Sequence, residues 1–251
     1  MPSSSKKYFF QQIILFNKTT YLASLLFLLS LLLLLIFVSL PFLLFYFLLI
    51  ALIGGIYFSF ASILFSYFIY DLSDLYHFNW LCQLLTDPKS TIFNVFSGYT
   101  EAGHLLQKNL NNHPLQHYDF FNKNTSVTSS IKRAKELSEP INCTEINYNN
   151  WQLNNKADYI LFMQSLHELR EADQQTECLI EASKYLNSPD SRIVIVEHLR
   201  DIKNFSIYSM GVFHFHSYHR WISVINASGL AIEKEFTITP FVKVFVLKRN
   251  Q

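Results

Sequence analysis

The chain has 251 residues, 50% of them hydrophobic and 16% charged, with 20 lysines and arginines against 19 acidic residues. Every Asp and Glu lies at or after Asp71, and the only charged residues before it are Lys6, Lys7 and Lys18, so the 52 residues from Thr19 to Tyr70 cannot make a water-facing surface. The residues after Tyr70 hold 17 basic side chains (20 less the three N-terminal lysines) against 19 acidic ones, a near-neutral balance that excludes the clustered basic footprint of a nucleic-acid binder.

A hydrocarbon core of about 30 Å is crossed by roughly 20 helical residues, so an uncharged run of this length predicts a transmembrane hairpin. Its first helix is expected over Tyr21 to Ser39 and its second over Leu43 to Tyr67, with Pro41 in the turn, where a missing donor costs least. A cleavable signal peptide fits poorly, because the apolar region is several times too long. Lys6, Lys7 and Lys18 predict a cytoplasmic N-terminus by the positive-inside rule, and two spans return the chain to that side. The expected organisation is a cytoplasmic N-terminus (1–18), two transmembrane helices (19–70), a juxtamembrane linker or entry helix (71–90) and a cytoplasmic domain (91–251). In the stretch from Tyr70 to Leu81 that leads into the domain, Tyr70, Tyr76 and Trp80 suit the lipid headgroup level, although a plain entry helix reads similarly. Cys82, Cys143 and Cys178 are odd in number and lack a CxxC pair, so free thiols in a reducing compartment are expected.

From Thr91 onward short β-branched or aromatic runs alternate with helical ones, the pattern of an α/β fold. Strands are predicted over 91–97, 115–121, 141–146, 157–164 and 192–198, with helices over 101–110, 129–138, 171–186 and 219–228. The last two strands, 230–240 and 241–249, are separated only by Pro240, which forces an antiparallel pair because a parallel pair needs a crossover of about a dozen residues. The expectation is a Rossmann-like seven-stranded sheet closed by an antiparallel hairpin.

In this order of elements, Thr91 to Arg249 resembles the class I S-adenosylmethionine-dependent methyltransferases. Their D-x-G-x-G-x-G turn corresponds to Asn94-Val-Phe-Ser-Gly-Tyr-Thr100, with Gly98 in register, Asn94 in the acidic place, and Phe96 and Thr100 where glycines are usual. The resemblance implies S-adenosylmethionine as cofactor, with Asn94, Gly98 and Asp119 around it and Asp119 as the acceptor for the ribose hydroxyls. It also places Asp158, which resembles the Asp that opens the fourth strand in these enzymes, among the cofactor-binding residues. The chain is also similar to uncharacterised membrane-anchored methyltransferase-like proteins that share the strings HELR, EHLRD and NFSIYSMGVFHFHS, a likeness that brings no substrate with it.

Charged residues bunch just past strands four and five, where open α/β sheets put their ligands: His167, Glu168 and Arg170, then Glu197, His198, Arg200 and Asp201. His167 or His198, held by a carboxylate such as Glu197, is expected to serve as a general base on a hydroxyl or amine acceptor. The bland alternative is that these groups are loop ion pairs and strand caps. His214, His216 and His219 lack specific metal spacing and read as an aromatic pocket wall, so no metal is expected. The residues together predict a membrane-anchored methyltransferase acting on a lipid or other membrane-associated acceptor, with the bilayer as partner. The alternative is a non-catalytic membrane scaffold that keeps a degenerate methyltransferase fold.

Overall fold

A computed structural model of the chain describes residues 11, 14, 15, 17–85, 87–100, 102–121 and 141–250. Two apolar helices lead, α1 over Lys18–Phe37 and α2 over Phe42–Tyr67, with Pro41 capping the second. Both are long and apolar enough to cross a membrane, and only 6% and 11% of their apolar windows are buried. They pack on each other where Gly55 removes a side chain: a Cβ there would lie 2.5 Å from Leu28 Cδ2. Two turns further along α2, Ser62 Oγ lies 3.1 Å from Tyr21 Oη.

A π-helical turn, Phe68–Leu72, carries α2 into a short helix α3, Asn79–Cys82. Ile69, Leu75, Phe78 and Leu81 are fully buried, so this segment is a layer of the core laid on one face of the sheet. Tyr76 and Trp80 are buried with them; Trp80 donates through its indole N–H to Leu75 O and tilts against Phe236. Their expected place at headgroup level is therefore corrected: an aromatic ring whose polar atom finds a protein partner is satisfied in a core.

The sheet has seven strands: β1 Ile92–Phe96, β2 Leu115–Asp119, β3 Thr144–Glu145, β4 Tyr159–Met163, β5 Arg192–His198, β6 Leu230–Thr239 and β7 Val242–Arg249. Their order is β3-β2-β1-β4-β5-β7-β6. The first five pair in parallel and the terminal hairpin is antiparallel, as the short connection at Pro240 requires. The central strands are buried on both faces, which is why they read as continuous apolar runs. On one face lie α5 (Ala172–Lys184) and α7 (Tyr218–Ala227), contributing Cys178, Leu179, Trp221 and Val224 to the core. On the other lie the entry segment, α4 (Gly103–Asn109) and α6 (Ile202–Tyr208). The third strand is shorter than its apolar run suggested, and the helix expected over 129–138 falls outside the described residues.

Helix α7 ends at Gly229, whose φ is +72° and around which there is open space within 4 Å. Gly229→Ala is expected to fit sterically and still destabilise by about 1 to 2 kcal/mol, the cost of holding an L residue in the left-handed region. Urea unfolding in detergent measures it; an unchanged midpoint would remove the backbone argument.

Candidate functional site

The site is built on the carboxyl edge of the parallel strands. At the ends of β1 and β2 the chain turns through Gly98 at φ +71°, a conformation that costs a side-chain-bearing residue energy. Its N–H donates to Asp119 Oδ1 at 2.7 Å, and Phe121 N–H donates to the same oxygen at 2.9 Å. Asp119 is buried, and the two amides fix its carboxylate at the turn. Two register positions inward, Asn94 donates through Nδ2 to His117 Nδ1 at 3.0 Å and lies 3.4 Å from Thr100 Oγ1. Burial pushes the His117 imidazole down to about 4, helped by nearby His104, so the ring is neutral with its proton on Nε2. Asn94 Oδ1 and His117 Nε2 are buried without a protein partner.

Asp158 is elsewhere. It precedes β4, so it sits at the amino edge of the sheet, where Oδ2 accepts from Thr91 N–H at 2.8 Å and Oδ1 from Asn187 Nδ2 at 3.2 Å. Its expected role with Asn94, Gly98 and Asp119 is corrected: the residue that opens a strand lies at the opposite end from the residues that close one. Asp158 clasps the starts of β1 and β4 together.

Past β4 and β5 the chain brings together the two acidic and histidine pairs. Glu197 is fully buried at the end of β5; its Oε2 lies 2.7 Å from His167 Nδ1 and its Oε1 accepts from His167 N–H at 3.2 Å. His167 Nε2 lies 3.3 Å from Glu168 Oε1. Burial by itself lowers the His167 pKa, but the charges and hydrogen bonds of Glu197 and Glu168 outweigh it and raise the ring to about 10. Glu168 is held well below the usual carboxylate range: burial would raise it, and the hydrogen bonds and charges of His167 and His214 overcome that. His167 is thus an imidazolium donating from both nitrogens. The expectation that it acts as a base is corrected, because its proton is clamped between two carboxylates.

His198, one residue on from Glu197, has the opposite state. Its Nδ1 lies 2.9 Å from Phe241 O, which can only accept, so Nδ1 carries the proton and Nε2 accepts from Tyr70 Oη at 3.0 Å. Burial pushes this ring down to about 4. Both nitrogens are occupied, so its expected role as a base is also corrected. The bond belongs to a chain in which Tyr76 Oη donates to Gln164 Oε1 at 3.3 Å and Gln164 Nε2 to Tyr70 Oη at 3.5 Å. Gln164 holds φ +50°, backbone strain that concentrates at functional sites. Tyr70 and Tyr76 were assigned no site role from the sequence; Tyr70 lies 128 positions from His198, and no local pattern links them.

The outer wall comes from the turn over Ser209–His214. Arg170 donates to His214 O at 2.8 Å and reaches His214 Nδ1 at 2.6 Å, while His214 Nε2 lies 3.2 Å from Glu168 Oε1. Ligand atoms of His167, Glu168 and His214 fall within 4.8 Å of one another. The hydrogen bonds assign them otherwise: His214 Nδ1 accepts from the guanidinium, so Nε2 carries a proton directed at Glu168, and His167 Nε2 points another at the same oxygen. Asp201 accepts from Asn204 N–H at 2.8 Å as the cap of α6, and Arg200 N–H donates to His216 O at 2.9 Å.

No family model matches the chain, and no curated protein does. Solved structures do. One is a SAM-dependent methyltransferase from Aquifex aeolicus, with a TM-score of 0.50 at 14% identity over 70% of this chain and 89% of that one. Others are a TehB-like SAM-dependent methyltransferase from Corynebacterium glutamicum (TM-score 0.48, 16% identity, 72% and 89% covered) and the mitomycin 7-O-methyltransferase MmcR (0.49, 14%, 74% and 57%). The chain thus spans 57% of the length of MmcR. The seven-stranded sheet with its terminal antiparallel hairpin is the methyltransferase fold.

The His167 charge links stability to pH. Its folded pKa of about 10 stands above the ordinary 6.5, so its contribution is complete below pH 6.5 and is lost as pH rises through about 10. His167→Asn, which leaves Glu197 buried without its cation, is expected to cost about 3 kcal/mol near neutrality. Denaturant unfolding across that window should show the deficit shrinking towards the alkaline end; a constant deficit would mean that the ring is neutral in the native protein.

Proposed function

We propose that the protein is a membrane-anchored S-adenosylmethionine-dependent methyltransferase whose acceptor is a lipid or another membrane-associated molecule. The observation that carries this reading is the bond from Tyr70 to His198. Tyr70 stands three residues beyond α2, and through it the end of an apolar helix is hydrogen-bonded into the cluster past β5. Active-site residues held within one side chain of a bilayer-spanning helix meet membrane-partitioned acceptors at raised effective concentration. Both chain ends and the domain lie on the cytoplasmic side in this reading, because Lys6, Lys7 and Lys18 flank α1.

The residues at the ends of β1 and β2 fit the cofactor. Asp119 is a buried carboxylate already oriented beside the Gly98 turn, suited to the ribose hydroxyls, and Asn94 Oδ1 is a buried acceptor without a protein partner, suited to an ammonium group. S-adenosylmethionine, when bound, supplies an electrophilic sulfonium methyl. The protein's share is alignment. Glu168, flanked by the His167 imidazolium and His214, would accept a hydrogen bond from the acceptor's hydroxyl or amine and so hold the acceptor in one orientation. Its depressed pKa makes it an orienting acceptor, and the acceptor's proton passes to water after methyl transfer. His167, Glu197 and His198 support Glu168 and the wall without touching the acceptor.

A second reading, a scaffold with a decayed cofactor turn, draws on Phe96, a buried ring where the family resemblance expects glycine. Calorimetry with the full chain in detergent separates the two. Asp119→Ala is expected to weaken S-adenosylmethionine binding by about 1.5 to 3 kcal/mol, the range for hydrogen bonds to a charged group. Asp158→Ala should leave affinity unchanged while costing stability of similar size. No binding by the unmutated chain would select the scaffold.

The acceptor is tested with labelled S-adenosylmethionine and total membrane lipid extract. Label is expected in the organic phase, and Glu168→Gln is expected to lower turnover by about 10²-fold, the size of loss that misalignment of the reacting groups causes. Label confined to protein or aqueous small molecules would end the lipid proposal.

A further inference from the structure

Outside the two N-terminal helices, the most exposed large apolar side chains among the described residues are Ile202 at 78%, Met210 at 70% and Phe213 at 60%. They fall within one segment, α6 and the turn after it. Ser209 breaks the helix at φ +50°, an unfavourable conformation for a residue with a side chain, and the chain then enters the Ser209–His214 turn that carries Met210 and Phe213 outward.

The depth of this segment relative to α2 can be read from contacts. The apolar stretch Phe42–Leu72 has 31 residues, about 46 Å of helix at about 1.5 Å per residue, against about 30 Å of hydrocarbon. Part of it must stand outside the bilayer, and the burial of Ala61, Ser66 and Ile69 marks the end that does. The edge is fixed independently by α1, whose only charge is Lys18 and whose Tyr21 pairs with Ser62; a tyrosine and a lysine are the side chains that favour the interface. Phe58 lies one turn deeper than Ser62 on α2. The Phe205 ring of α6 packs edge-on against Phe58, with centroids 5.8 Å apart. Segment 202–213 therefore reaches the level of the bilayer edge while its outer apolar side chains stay largely exposed among the described residues.

We infer that Ile202, Met210 and Phe213 insert into the lipid at that edge, making the domain a monotopic contact in addition to its helical anchor, with Lys203 free to extend to anionic headgroups. This rests on the reading of α1 and α2 as membrane-spanning. Its consequence is local: His214, adjacent to Phe213 and hydrogen-bonded to Glu168, opens the site towards the headgroup layer.

The test uses the full chain in phosphatidylcholine and phosphatidylglycerol vesicles containing lipids brominated near the top of the acyl chain. Phe213→Trp reports the segment, Phe60→Trp the exposed face of α2, and Ile180→Trp a half-exposed site on α5, across the sheet from α2. Relative to the unmutated chain, the emission added at 213 is expected to be blue-shifted and quenched, as at 60, while that at 180 is neither. Quenching at 60 without quenching at 213 would overturn the insertion and leave the anchor standing. No quenching at 60 would overturn the anchor itself. A blue shift at 213 that grows with protein density and is insensitive to bromolipid would assign the patch to a second copy of the chain and overturn the proposal.

Discussion

The hydrogen bond from Tyr70 to His198 joins the two parts of the chain that sequence composition separates, and much of the site depends on it. Tyr70 can donate in it only while His198 is neutral, since Nε2 must then accept. Two features secure that state: burial, which penalises the charged ring, and Phe241 O, which takes the single proton on Nδ1. Phe241 also packs its ring on Phe65 of α2, with centroids 5.1 Å apart. The turn between β6 and β7 is thereby tied by its backbone to the site and by its side chain to the apolar helix. A displacement of α2 would strand the buried Nε2 of His198, which is costly without a partner, while Phe241 O would keep the amide of Asn204.

His167 and His198 show how environment sets opposite proton states in equally buried rings. His167 meets two carboxylates and holds its second proton to about pH 10; His198 meets a carbonyl, an amide oxygen and a phenol and loses its own at about 4. The two are coupled, because the His167 charge is among the causes that lower His198. The charged groups around His167 also balance. Glu197 and Glu168 oppose His167 and Arg170, so the cluster offers directed hydrogen bonds with no net charge to attract a free anion. In the proposed function an acceptor is then recognised by geometry and delivery, which suits a molecule confined to two dimensions.

The apolar hairpin and the sheet were legible because both follow from periodicity: an uncharged run cannot face water, and strands buried on both faces read as short apolar blocks. The aromatic entry segment was not, since Tyr76 and Trp80 carry the same letters whether they face lipid or a core, and only the partner of the indole N–H distinguishes them. The bunching of charges past β4 and β5 was legible from topology, but the roles within it were not. A base and a clamped imidazolium are both a histidine beside a glutamate; the distinction lies in whether a second carboxylate reaches the other nitrogen, as Glu168 does. Asp158 misled because a resemblance aligned it with the cofactor while chain direction put it at the far edge of the sheet.

The reduced glycine turn is easier to understand from Asp119 than from the missing glycines. A turn rich in glycine has many conformations, and a ligand that selects one must offset the entropy lost. Here the Gly98 amide is fixed by a carboxylate, Phe121 N–H fixes the same oxygen, and Ser97 and Tyr99 bridge across the turn. Only the residue at the positive φ has to be glycine; Phe96 and Thr100 keep ordinary backbone angles and can carry side chains. The remaining demand is room. Gly103 meets it from α4, where an added Cβ would collide with Ile141 and Thr100, so that helix packs close behind the turn. The turn is therefore preorganised by bonds at the positions where the family resemblance expects glycine, and in the proposed function its capacity to receive a cofactor rests on the charge and orientation of one buried carboxylate.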